Sequence, residues 1–116
     1  MTDYLKQYKR NEKAKTRLAK GTPQPGEIWW ASNLDGIKDR PVLILGRSGD
    51  VCQYRKCTSQ LSEIRERAVI EDYIEAGLDK ETYVDTDICT IERNRLVRKL
   101  GKLSEYDCEK FGIYSD

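Results

Sequence analysis

The chain has 116 residues, 35% of them charged, and a formal net charge of +1. That length suits one domain with a modest core, and it excludes a second catalytic domain or a doubly wound dinucleotide fold. No apolar run exceeds four residues, as in Val42–Leu45, against the ~20 that a membrane-spanning helix needs. The N-terminus is basic and has no apolar stretch, so no secretory signal is read there. The expectation is a cytoplasmic protein with no membrane partner.

Histidine is absent, which removes Ser-His-Asp and Cys-His catalysis together with histidine metal sites and histidine general bases. Four cysteines, Cys52, Cys57, Cys89 and Cys108, contain no C-x-x-C pair. They are read as reduced thiols, and neither a metal nor a cofactor is expected. Charge is uneven along the chain. Residues 1–20 hold seven bases and two acids, and the remainder is acidic by four charges. The division expected is a basic helical arm over residues 1–22 and a folded body over 23–116.

In chain order, residues 3–19 lack Gly and Pro and carry a thin stripe of Leu5, Tyr8 and Leu18, which predicts a weakly packed helix. Such an arm either touches phosphate or is simply a solvated helix. The breaker Gly21–Gly26 follows. Glu27–Ala31 reads as a strand rich in aromatic and β-branched residues. Alternation then turns one of Trp29 and Trp30 inward and the other outward. An outward tryptophan could stack on a base, fill a dimer interface or cover the sheet. Ser32–Asp39 is expected as a polar loop. Arg40–Leu45 is a strand buried on both faces, with Pro41 at its start.

Gly46–Asp50 is a hairpin loop, and Val51–Ser59 is a third strand with Cys52, Tyr54, Lys56 and Thr58 on one face. Residues 60–68 look irregular. A short strand is read at Ala68–Glu71, a turn-rich loop at Ala76–Glu81 and a strand at Thr82–Ile88. Thr90–Leu96 reads as a helical turn. Ser104-Glu105-Tyr106-Asp107 has the form of a helix start, opening a helix of two to three turns. Short strands punctuated by glycine, with few helices, indicate a mainly β fold, a small barrel.

Three stretches, Pro25–Ala31, Asp39–Leu45 and Cys57–Gln60, together resemble the MazF/PemK toxins. Gly77–Asp85, Thr90–Glu92, Arg95-Leu96 and Lys99–Ser104 are similar to the same family's later segments, so the likeness runs over about residues 25–112. The resemblance implies an SH3-like β-barrel with a few helices, usually a homodimer. It implies a metal-independent endoribonuclease acting on single-stranded mRNA. It also implies a cognate antitoxin whose acidic tail covers the RNA groove. The family's central pair falls on Arg40 and Thr58, with Ser59 as a further hydroxyl. Candidate RNA contacts are Trp30, Lys38, Arg55 and Lys56.

The chemistry of those side chains agrees. Driving a 2′-hydroxyl into the adjacent phosphorus builds a dianionic transition state that needs fixed donors and positive charge. Arginine offers a planar fork matched to phosphate oxygens, and a hydroxyl one strand away can hold a nonbridging oxygen. Arg40 begins one strand and Thr58 ends the next, so antiparallel pairing would bring them to one end of the sheet. The purely structural alternative is that Arg40 pairs with Asp39 or Glu27, and Thr58 is an ordinary strand residue. A catalytically weak module that binds RNA or a peptide is the alternative function. Cys89 stands where many members have arginine. Asp85 and Asp87 would repel phosphate unless one serves as general base.

Overall fold

The structure, a computed structural model, describes residues 21–34, 38–60 and 67–113. The expected arm helix and the Asp35-Gly36 turn lie outside the described residues. Among the described residues seven strands run in order: β1 (Glu27–Leu34), β2 (Lys38–Ser48), β3 (Val51–Thr58), β4 (Arg67–Val69), β5 (Tyr83–Asp85), β6 (Cys89–Glu92) and β7 (Leu96–Lys102). Among these same residues a 3-10 turn, Arg93–Arg95, joins β6 to β7, and one short helix, α1 (Glu105–Lys110), follows. The protein is mainly β. All pairings are antiparallel, in the spatial order β4-β5-β3-β2-β1-β7, and the sheet does not close.

Strand β3 carries the branching. One edge pairs with β2. The other pairs with β6 along Val51–Tyr54 and with β5 along Cys57-Thr58. Beyond Tyr54 the sheet therefore changes partner, and a second apolar layer begins. The run Val42-Leu43-Ile44 is wholly buried, as the continuous apolar pattern requires. Val42 and Ile44 face a core with Trp29, Ala31, Leu34, Cys52, Tyr54, Ile91 and Leu96. Leu43 faces the other core with Ile28, Cys57, Ile70, Ala76, Val84, Leu103 and Ile113. Each such side chain, taken out of water, contributes on the order of 1.5–3 kcal/mol.

Several boundaries differ from the sequence reading. Strand β1 runs on to Leu34 and β2 starts at Lys38, so the polar loop is tighter than Ser32–Asp39. Its turn is held by the Asn33 N–H donating to Asp39 Oδ1 at 2.8 Å, with Asn33 at φ 52°. Arg95 adds bonds to the Ser32 and Asn33 carbonyls. Pro41 sits inside β2 opposite Trp30, not at its start. It is tolerated because the β3 ladder ends one residue later, at Val42–Lys56. The strand expected at Thr82–Ile88 covers only Tyr83–Asp85.

The helical turn expected from Thr90 is a strand, β6, followed by the 3-10 turn. Strand β7 was not legible, since Val97-Arg98-Lys99 breaks any apolar alternation. Helix α1 has six residues, fewer than two turns. Ser104 caps it, accepting from the Asp107 N–H at 3.2 Å. The buried Asp107 carboxylate makes only a long contact with its own helix cap, Ser104 Oγ at 3.4 Å, and its shorter bonds go elsewhere. It accepts the N–H groups of Glu71 and Asp72 at 3.0 and 2.8 Å and so anchors the 70–82 loop.

That loop also touches β7 backbone to backbone. Gly77 has φ +86°, and a Cβ there would overlap the Leu100 carbonyl. A Cβ on Gly101 would overlap the Ala76 carbonyl. Only glycine permits either the conformation or the approach. Gly77→Ala is therefore expected to cost about 2–4 kcal/mol and lower the melting temperature by roughly 10–20 °C, read by circular dichroism. Gly49, at a turn with nothing near its Cβ position, should tolerate alanine with a smaller loss.

Glu27 is the buried acid at the sheet's entrance. Its Oε1 accepts from the Gln24 N–H at 3.0 Å and from Trp29 Nε1 at 2.9 Å, and its Oε2 lies 3.1 Å from Lys99 Nζ. Burial pushes the carboxyl up, but these donors outweigh it and hold the pKa below the usual glutamate value. A lowered folded pKa makes the contribution complete above the unfolded value of about 4.3. It fades as pH falls through the folded value. Denaturation curves should show stability declining below about pH 4.3, and Glu27→Gln should be less stable at neutral pH with a flatter acid limb.

Candidate active-site groove

The C-terminal end of β3, the start of β2, Trp30 in the middle of β1, and Arg98 and Leu100 of β7 form the floor of a groove enclosing about 680 Å³, walled by the 77–80 loop and by Ser59, Gln60 and Arg67. The β2–β3 register makes the floor. Arg40 and Thr58 each lie two residues beyond the last pair, Val42–Lys56, and both line the groove. Trp30 pairs with Pro41 on one side and Arg98 on the other, so a cation, an indole and a proline form one row across three strands. Trp29 is buried in the core under the Arg93 guanidinium, 4.8 Å from the ring centroid. The tryptophan that turns away from that core is Trp30, half-buried in the groove rather than open to solvent.

Of the residues singled out from sequence, Arg40, Thr58, Ser59, Trp30 and Lys56 come together in this groove. Arg55 does not. It lies on the opposite face of β3 and donates to the Asp85 carbonyl at 2.5 Å, with its guanidinium 5.4 Å from the Phe111 ring centroid. Burial lowers its pKa, yet arginine remains charged. It therefore serves the fold at the place where β3 changes partner. Lys38 begins β2; its side chain lies outside the described residues. Asp85 is 2% exposed and paired with Arg67, so it does not open onto the groove, while Asp87 is exposed.

The sequence reading missed Arg67, Lys80, Arg98 and Asp79, which also line the groove. Arg98 belongs to the unforeseen β7, where alternation sends Lys99 to Glu27 and Arg98 to the groove. Lys80 and Asp79 come in with the loop anchored by Asp107 and Gly77. The Gly77/Gly101 pair was the available signal, because two glycines far apart in sequence can mark one close backbone approach.

Five cationic side chains face two carboxylates, Asp39 and Asp79. Asp39 already accepts from the Asn33 N–H, and Glu27 is engaged by Gln24, Trp29 and Lys99. Neither therefore pairs with Arg40. Seven arginines occur among the described residues, and five of them donate to backbone carbonyls: Arg47, Arg55, Arg67, Arg93 and Arg95. Arg40 and Arg98 have no hydrogen-bond or ion-pair partner among the described residues. Thr58 is 7% exposed, and its Oγ1 accepts from the Gln60 N–H at 3.1 Å, which leaves the hydroxyl proton to donate.

Among the described residues, no three Cys, Asp or Glu side chains are grouped as a metal ion would need. None of the described helices is long and apolar enough to cross a membrane. No family model matches the chain, and no curated protein matches it.

The four cysteines are free thiols. Burial pushes the Cys57 thiol up to about 12 and raises Cys52 and Cys108 as well. Cys57 lines the groove, but a thiol so rarely ionised is a poor nucleophile. Cys89 is exposed. A chromogenic disulfide reagent at pH 8 should therefore react first at Cys89, Cys89→Ser should remove that fast phase, and Cys57 should react only on unfolding.

Proposed function

We propose that this protein is a metal-independent endoribonuclease of the MazF/PemK type, cutting single-stranded RNA as the toxin of a toxin–antitoxin pair. The observation that carries this reading is Arg40. Its guanidinium has no partner among the described residues, it sits in a groove where cations outnumber acids, and it shares that groove with a hydroxyl free to donate. A charge left unpaired in a concave site is arranged for an anion that is not part of the protein. The sheet, with its 3-10 turn between β6 and β7, is compatible with the SH3-like barrel that the family resemblance implies. A homodimer, and an antitoxin whose acidic tail complements the groove's positive charge, belong to the same reading.

In this mechanism the phosphate of the scissile bond lies against Arg40, with the Thr58 hydroxyl donating to a nonbridging oxygen. The RNA 2′-oxygen attacks phosphorus and passes its proton to Asp79, a carboxylate lining the groove. The new 2′-O–P bond forms as the P–O5′ bond breaks. The 5′-oxygen leaves as a hydroxyl, taking a proton from water, and the hydroxide left behind takes the proton held on Asp79, while Arg40 stays charged throughout. Both negative charges that develop on the phosphorane meet preorganised donors. The products are a 2′,3′-cyclic phosphate and a 5′-hydroxyl.

Losing one such donor typically costs ~10²–10³ in rate. Arg40→Ala should nearly abolish cleavage of a labelled RNA while the protein stays folded, and Arg40→Lys should recover little because the fork is gone. Thr58→Val keeps the shape and should lose activity for want of the hydroxyl. Chelators should leave the parent rate unchanged. Parent-like rates in both folded variants would move the chemistry elsewhere. A parent that binds RNA without cutting it would make the groove that of a binding module.

A further inference from the structure

We propose that Arg67 is a positioning residue of the groove, acting through the backbone of Gln60 on the Thr58 hydroxyl. The inference rests on the ribonuclease reading of that groove. Arg67 opens β4 and pairs across the ladder with Asp85 of β5. Its side chain is 13% exposed and that of Asp85 3%, with Arg67 Nε 3.6 Å from Asp85 Oδ1. Arg67 Nη1 donates to the Gln60 carbonyl at 2.5 Å, and the Gln60 N–H donates to Thr58 Oγ1 at 3.1 Å. Four groups are thus linked in series: a buried carboxylate, a guanidinium, the Gln60 backbone (through its carbonyl on one side of Cα and its N–H on the other) and the active hydroxyl.

The series decides what Thr58 can do. A threonine hydroxyl has one proton and two lone pairs. With the Gln60 N–H on a lone pair, the proton turns away from Gln60 and is presented as a donor. A donor suits a nonbridging phosphate oxygen. The Gln60 N–H that imposes this lies just past the end of β3, where Ser59 and Gln60 are exposed and belong to no strand. Arg67 holds the carbonyl of the same residue and so limits how that N–H can turn.

The Arg67–Asp85 pair is also a poor device for stability alone. Arg67 Nε is buried with no hydrogen-bond acceptor among the described residues, whereas buried polar groups are nearly always paired. A buried ion pair can often be replaced by apolar residues of similar volume without loss. What apolar residues could not do is grip the Gln60 carbonyl.

The test is a kinetic cycle on a short single-stranded RNA, comparing the parent, Arg67→Gln, Arg67→Lys, Thr58→Val and the Arg67→Gln/Thr58→Val double variant under single-turnover conditions. Arg67→Gln should lower the maximal rate roughly 10–100-fold, the scale of a small misplacement, with half-saturation within about twofold of the parent. Arg67→Lys should not rescue it, because lysine keeps the charge but not the fork. In the Thr58→Val background the Arg67→Gln loss should vanish, since the hydroxyl it orients is gone. If Arg67→Gln does not fold, Arg67→Met/Asp85→Leu removes both buried charges and should show the same coupling to Thr58.

An unchanged rate in Arg67→Gln would overturn the inference. So would weakened RNA binding at constant maximal rate, which would make Arg67 a direct phosphate contact. Losses that multiply in the double variant would overturn it too. A parent that cuts no RNA overturns the ribonuclease reading and this inference with it. A parent that cuts, with Arg67 and Thr58 independent, overturns this inference alone.

Discussion

Everything in this molecule depends on β2, whose Val42-Leu43-Ile44 run is buried on both faces between β1 and β3. Val42 and Ile44 point into one core and Leu43 into the other, and β1 and β3 divide their side chains in the same way. A sheet buried on both sides needs two covers. One comes from β6, the 3-10 turn and the start of β7. The other comes from the 70–82 loop, α1 and the residues that follow it. These covers are short strands, a 3-10 turn, a short helix and one loop, fastened by specific polar contacts.

Those contacts are few and mostly run from a side chain to the backbone. Asp107 binds two N–H groups of the loop, Ser104 donates to Asp72 at 2.6 Å, and Lys110 reaches the Val69 carbonyl at 2.7 Å. The loop's own turns pair some of its peptide groups, such as the Ala76 N–H with the Asp72 carbonyl, and the remaining buried ones require such a donor or acceptor. The functional consequence is indirect but strong. The same loop that closes the second core carries Gly77, Leu78, Asp79 and Lys80 along the groove wall. The groove's shape is thus set by the packing of a core on its far side.

The arginines sort by what they touch. Those at turns and strand ends bind carbonyls and complete the backbone's hydrogen bonding. Arg40 and Arg98 project into the groove beside Trp30, where no protein group answers them among the described residues. Uncompensated guanidinium groups repel one another and weaken the fold. Their convergence in one concavity, next to an aromatic ring and a donor hydroxyl, gives that end of the sheet its chemical character.

The sequence by itself determined the mainly β class, the two-sided burial of Val42–Ile44, the breaker before β1 and the capped start of α1. These follow from local rules: alternation, continuous apolar runs, turn residues and a Ser-x-x-Asp cap. It also brought Arg40 and Thr58 to the same end of one hairpin, because antiparallel register is simple counting. The extent of β1, the strand at β7 and the brevity of α1 were decided by tertiary structure. Val97-Arg98-Lys99 becomes a strand only because β1 offers it a ladder. Arg55 and Lys56, neighbours in sequence and alike in charge, illustrate the same limit. One supports the second core and the other lines the groove, because adjacent residues on a strand face opposite sides, and only the folded sheet decides which side is the groove.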